Sequence, residues 1–145
     1  MYTMLQHAHS GIRWIILILL IVSIIGSFTK RNKSEFTDSD KKSYMFTMIF
    51  THIQVLIGAV LYFLSPMVQF TSETMKNAVT RFYTMEHATM MLIAIILITI
   101  GYSRSKRADT VASKHKAISI FYTIALLLIL AGIPWPFRGL GAGWF

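Results

Sequence analysis

Five histidines stand in a chain of 145 residues that is 54% hydrophobic and only 14% charged, and three of them, His9, His52 and His87, fall at the start of or inside apolar segments. An imidazole in hydrocarbon costs free energy unless something pairs with it. The usual partner is a metal centre or a proton path, so these three side chains are the first candidates for chemistry. The chain has no cysteine, which removes disulfides, thiolate-bound zinc, iron–sulfur clusters and covalent haem attachment through Cys-x-x-Cys-His. Any cofactor must then be held by histidine, methionine or oxygen. The nine methionines follow no ligand spacing, and Met90 and Met91 read as packing residues. No nucleophile sits beside a base, and neither a glycine-rich phosphate loop nor a carboxylate pair is present, so substrate chemistry is not expected.

Spacing orders the three histidines by depth. His9 and His87 precede Ile25-Gly26 and Ile100-Gly101 by similar distances, and each of these stretches ends in a basic pair, Lys30-Arg31 and Lys106-Arg107. Ile49-Phe50 and Ile120-Phe121 then recur in the segments that follow, both of which stop at proline. Two parallel helix-hairpin repeats would make His9 and His87 counterparts near one end of the first and third helices. Coincidence in low-complexity apolar sequence is the alternative. Counted back from their glycines, the two histidines differ in depth by about 4.5 Å, which side chains can absorb.

Two opposed imidazoles at a shared depth in a four-helix bundle are what a haem iron needs, and cations near the surface suit its propionates. Arg13 lies one turn from His9, and Arg81 precedes His87 by six residues. The structural alternative makes His9 a solvated headgroup residue and both arginines anchors. His52 is the deepest histidine, about 15 Å from the inner boundary, and is expected to face the bundle interior. It is a third candidate ligand, a relay, or a neutral histidine bonded to a neighbouring helix. Straight-helix counting separates it from His87 by roughly 12 Å. His115, in Ser-Lys-His-Lys, reads as part of a solvated basic loop, and His7 faces away from His9 on a helix. Glu86 either pairs with Arg13 or Arg81 or orients His87.

The elements that must carry these residues are four apolar segments, Trp14 to Phe28, Tyr44 to Leu64, Phe82 to Tyr102 and Ala117 to Ile133. Each reaches or approaches the roughly 20 residues needed to cross a bilayer. The expected fold is all-α, a single integral membrane four-helix up-down-up-down bundle over 1–145, with helices at approximately 10–29, 44–65, 82–103 and 117–134. A cleaved signal peptide is not expected, because no basic stretch precedes the first segment. Asp38, Ser39 and Asp40 offer caps for the second helix, and Met75, Val79 and Phe82 suggest an interfacial half-helix ahead of the third. The tail from Pro134, rich in tryptophan and glycine, reads as a non-helical aromatic belt.

The net charge of +8 is explained by orientation and requires no nucleic acid. Of fourteen Lys and Arg, five (Lys30, Arg31, Lys33, Lys41, Lys42) lie in the first loop and five (Arg104, Lys106, Arg107, Lys114, Lys116) in or beside the third. That asymmetry makes those loops cytoplasmic and both termini periplasmic, in a bacterial inner membrane.

The segments HAHSGIRW, FTHIQVLIGAVLYFLSP, RFYTMEHATMMLIAIILITIGYSRSKR, KHKAISIFY and IPWPF together resemble a family of short bacterial four-helix membrane proteins of the cytochrome b-like type. The resemblance covers nearly the whole chain and implies non-covalent haem b and electron transfer. It leaves the choice of axial histidines to depth and spacing. Two functions follow as expectations. One is a small b-type cytochrome, with His87 the leading ligand and His9 or His52 opposite, exchanging electrons with a quinone or a partner subunit. The other is a cofactor-free accessory subunit of a larger membrane complex; other membrane subunits or further copies of the chain are expected partners in either case.

Overall fold

Nothing in the first ten residues breaks a helix, and in the computed structural model, which describes residues 1–145, α1 accordingly begins at Tyr2 and runs to Thr29. Helix α2 spans Asp38–Leu64, α3 spans Ala78–Arg107 and α4 spans Val111–Gly132. No strand is present. All four helices start earlier than hydropathy alone places them, and in α2, α3 and α4 a capping side chain sets the start.

In α2 the cap is Thr37, not the expected Asp38 to Asp40. Its Oγ1 accepts from the Asp40 amide at 3.2 Å, and the Asp40 carboxylate accepts from the Thr37 amide at 3.0 Å. This reciprocal pair satisfies two amides that the first turn leaves without partners. Asn77 caps α3 by accepting from the amides of Val79 and Thr80, and Thr110 caps α4 by accepting from Ser113. The interfacial half-helix expected through Met75, Val79 and Phe82 does not form as a separate element. Val79 and Phe82 lie in the first turns of α3, and Phe82 is buried. Both α2 and α4 end just before proline, at Leu64 and Gly132. After α4 the tail is non-helical apart from one 3-10 turn, Pro136–Arg138.

Helix α1 packs on α2 and α4, and α3 packs on the same two helices, so each helix has two helical neighbours. The shared core includes Ile16, Leu20, Tyr44, Ile98, Ile118 and Tyr122. Small hydroxyls line the α1–α2 seam, where the Ser23 hydroxyl lies 2.8 Å from that of Ser43 and 3.0 Å from that of Thr47. By contrast, Ile18, Leu56 and Leu127 are more than 60% exposed. Polar contacts inside and large apolar residues outside suit a hydrocarbon solvent. All four helices are long and apolar enough to cross a membrane, and the shortest, with 22 residues, is about 33 Å long against a hydrocarbon core of about 30 Å.

Helices α3 and α4 approach closely at Gly101, where an added Cβ would lie 2.5 Å from the Cβ of Phe121. Gly101→Ala must therefore push the helices apart, and we expect a loss of about 1–3 kcal/mol in stability. Gly11→Ala, with nothing within 4 Å of the added atom, is the control. Unfolding midpoints in mixed micelles check the pair, and equal midpoints would contradict the close-packing account.

Candidate functional site

His87 sits at a break in helical geometry. Phe82–Glu86 form one π-helical turn inside α3, and His87 follows it directly. Such turns are rare and leave the helical ladder irregular, often at functional positions. Within that turn the Thr84 carbonyl accepts from the Tyr62 hydroxyl of α2 at 2.8 Å. His87 Nδ1 lies 2.7 Å from the Gly132 carbonyl at the end of α4. A carbonyl can only accept, so Nδ1 carries the proton and Nε2 keeps the lone pair. Fixing one ring nitrogen on a backbone carbonyl is how ligating histidines are oriented.

His9 comes from α1 and is anchored through its backbone, whose carbonyl accepts from Gln54 Nε2 at 2.7 Å. Its ring packs on Gly58 of α2, with Cε1 only 3.1 Å from where a Cβ would stand. Glycine at that position lets the imidazole lie against the α2 backbone. His9 Nδ1 is buried without a hydrogen-bond partner. The rings of His9 and His87 meet with centroids 6.3 Å apart and planes inclined at 68°.

Both histidines line a cavity of about 510 Å³, the size of a small-molecule site. Its walls are mostly apolar, with Val55, Met91, Ile129 and Ile133 among them, and Arg13 supplies a cation. The tail residues Ala142, Gly143 and Phe145 also reach it, together with Tyr2 and Gln6 of α1, so the cavity occupies the end of the molecule where both termini lie. Arg13 Nη2 donates to the Trp144 carbonyl at 2.6 Å, and Trp14 Nε1 donates to the same oxygen at 3.1 Å. The guanidinium lies 5.3 Å from the Trp14 ring and 5.9 Å from that of Trp135. Arg13 has no acidic partner, and its Nε is buried without a hydrogen bond.

Two of the residues expected at the site lie elsewhere. Arg81 is tied to Glu86, with Nε 2.8 Å from Oε1, and donates from Nη1 to the Met75 carbonyl; it does not line the cavity. The alternative in which Glu86 neutralises a nearby arginine is the one that forms. His52 does not face the interior as expected. It is exposed on α2, and Nδ1 donates to the Met48 carbonyl one turn earlier at 2.8 Å. Its other neighbour is the Thr99 hydroxyl, 3.4 Å from Nε2. Thr99 is twelve residues beyond His87 on α3, about 18 Å along the helix. That distance removes His52 from any shared site with His87. His7 is exposed, facing away from His9 as expected.

A second polar cluster, at the opposite end, was not anticipated. His115 is fully buried, not solvated, and the Tyr44 hydroxyl lies 2.6 Å from its Nδ1. Its Nε2 lies 3.9 Å from the carboxylate of Asp40, which accepts from Lys30 Nζ at 2.8 Å. The Tyr122 hydroxyl donates to the Tyr44 carbonyl, and Arg31 donates to the Ser119 hydroxyl. These contacts tie the ends of α1, α2 and α4 together. The available signal was phase: His115, Ile118, Ser119 and Tyr122 follow the spacing of one helix face.

Compared with protein families, curated proteins and solved structures, the chain matches none.

Proposed function

We propose that this chain is a small b-type cytochrome of a bacterial inner membrane, an up-down-up-down bundle with periplasmic termini that holds non-covalent haem b between His9 and His87. The carrying observation is the pair of imidazoles from α1 and α3, with ring centroids 6.3 Å apart, on the wall of one largely apolar cavity. Two imidazoles binding one ion from opposite sides, each nitrogen about 2 Å from it, place their centroids roughly 6 Å apart. That spacing supports His9 and His87 as the residues that would hold the haem iron.

When bound, haem b supplies reversible one-electron transfer, within the chain or to a respiratory partner such as a quinone or another membrane subunit. The rest of the reading concerns the protein's own groups. His87 is held in one tautomer by Gly132, with Nε2 as the donor. His9 Nδ1 is buried against Gly58 of α2, which leaves Nε2 as the nitrogen that would serve a ligand in the cavity. Arg13 offers an unpaired cation to a carboxylate on the ligand, and the apolar walls exclude water. His52 is left as a lipid-facing residue with a backbone partner. The basic first and third loops share the end opposite the cavity, which supports a cytoplasmic placement for them and a periplasmic one for the termini.

Detergent-purified protein from haem-replete cells should be red, with a Soret band and a pyridine haemochrome of haem b near one per chain. Colourless protein that takes up no added haem would reject this reading in favour of an accessory subunit. Cytoplasmic activity of a reporter fused to the C-terminus would overturn the topology independently of the haem.

A further inference from the structure

Away from the histidine cavity, a second cleft of about 250 Å³ opens between α3 and α4 at the end that carries the basic loops. Arg104 of α3 and Lys116 of α4 stand on its rim with the Ser113 side chain, and Ala117, Ile120 and Phe121 form an apolar wall. The close approach of the helices at Gly101 and Phe121 bounds it on the membrane side. The Arg104 guanidinium lies 5.2 Å from the Phe121 ring, so cation and apolar wall are adjacent. Neither Arg104 nor Lys116 has an ion-pair partner. The neighbouring cations are engaged elsewhere or add to the positive field: Lys114 donates to the carbonyls of Ser105 and Lys106, and Arg107 to that of Ser103. Asp109 is the one acidic residue in this loop, and it pairs with neither rim cation.

Two free cations above an apolar wall, at the depth where a bilayer changes from headgroup to hydrocarbon, match one kind of ligand. We propose that this cleft binds an anionic phospholipid, its phosphate between Arg104 and Lys116 and the start of an acyl chain along Ala117, Ile120 and Phe121. Basic pockets between transmembrane helices on the cytoplasmic side recognise lipid phosphate in this way. Ile120 is 44% exposed, which leaves a path for the chain into the surrounding lipid. A free phosphate would use the cations and gain nothing from the wall. The proposal rests on the membrane placement of the chain and not on the haem.

Native mass spectrometry of the full chain released from micelles, with added phosphatidylglycerol or phosphatidylcholine, tests it. The wild type should retain phosphatidylglycerol preferentially. Arg104→Gln with Lys116→Gln should weaken that binding roughly 30-fold, from the loss of two basic residues near the surface. Lys41→Gln with Lys42→Gln, which changes the net charge equally at the start of α2, should leave it unchanged. Equal weakening in both double variants would overturn the site and indicate a diffuse charge effect. Displacement of the lipid by inorganic phosphate at equal concentration would overturn the lipid assignment. A chain that stays soluble without detergent would overturn the membrane placement itself, whereas the other two outcomes leave that placement standing.

Discussion

Replacing His87 with alanine is expected to abolish the low-spin haem spectrum, while His52→Ala leaves it intact. A methyl group cannot donate to iron, and the loss also frees the Gly132 carbonyl that holds the ring. His9→Ala should leave a five-coordinate site that still binds haem more weakly, because His87 retains its backbone anchor. His52 is separated from the site by about 18 Å of α3 and bonds to its own helix, so its removal changes one exposed contact with Thr99. Absorption spectra of the three purified variants check the order. Loss of the spectrum in His52→Ala with retention in His87→Ala would refute the assignment.

Asp40→Ala should produce one of the largest losses of stability outside the histidine cavity. The carboxylate is buried, accepts from Lys30 at 2.8 Å, completes the Thr37 cap and faces His115. Its removal leaves Lys30 unpaired, halves the capping box and loosens α1 from α2. We expect about 2 kcal/mol, from the lost half of the capping box and the lost charge-assisted hydrogen bond to Lys30, which is itself 42% exposed. Asp38→Ala is the comparison: Asp38 is largely exposed and lies 3.7 Å from Lys41, so its midpoint should stay near the wild type. Coincident unfolding curves for the two variants in mixed micelles would contradict the structural role of Asp40.

The apolar middles of the four helices were legible because hydrocarbon-length runs need no tertiary information. Their first turns were not. In Tyr2 to Ser10 and Asp38 to Ser43 polar residues continue the helix, and the decisive cap at Thr37 lies one residue ahead of the aspartates that looked like caps. The approach of His9 to His87 was legible by counting from Gly26 and Gly101, since a modest depth mismatch is within side-chain reach. The orientation of His52 is not legible, because the Met48 carbonyl on the same helix satisfies a ring nitrogen without any neighbouring helix. The burial of His115 is masked in the sequence by its lysine neighbours. On a helix those flanking residues point about 100° to either side, and His115 itself falls in phase with Ile118, Ser119 and Tyr122. Arg81 was placed at the site by sequence proximity, but Glu86, on the same helix, takes it up.

Met91 lines the same cavity as the two histidines and offers a thioether that would compete with an imidazole for a bound iron. Near-infrared magnetic circular dichroism of the oxidised, haem-loaded protein reads the identity of both axial ligands directly, because bis-imidazole and imidazole–thioether iron give charge-transfer bands at well-separated wavelengths. A bis-imidazole band that disappears in both His9→Ala and His87→Ala is the result expected here. An imidazole–thioether band, or a bis-imidazole band that survives His9→Ala, would contradict the pairing of His9 with His87.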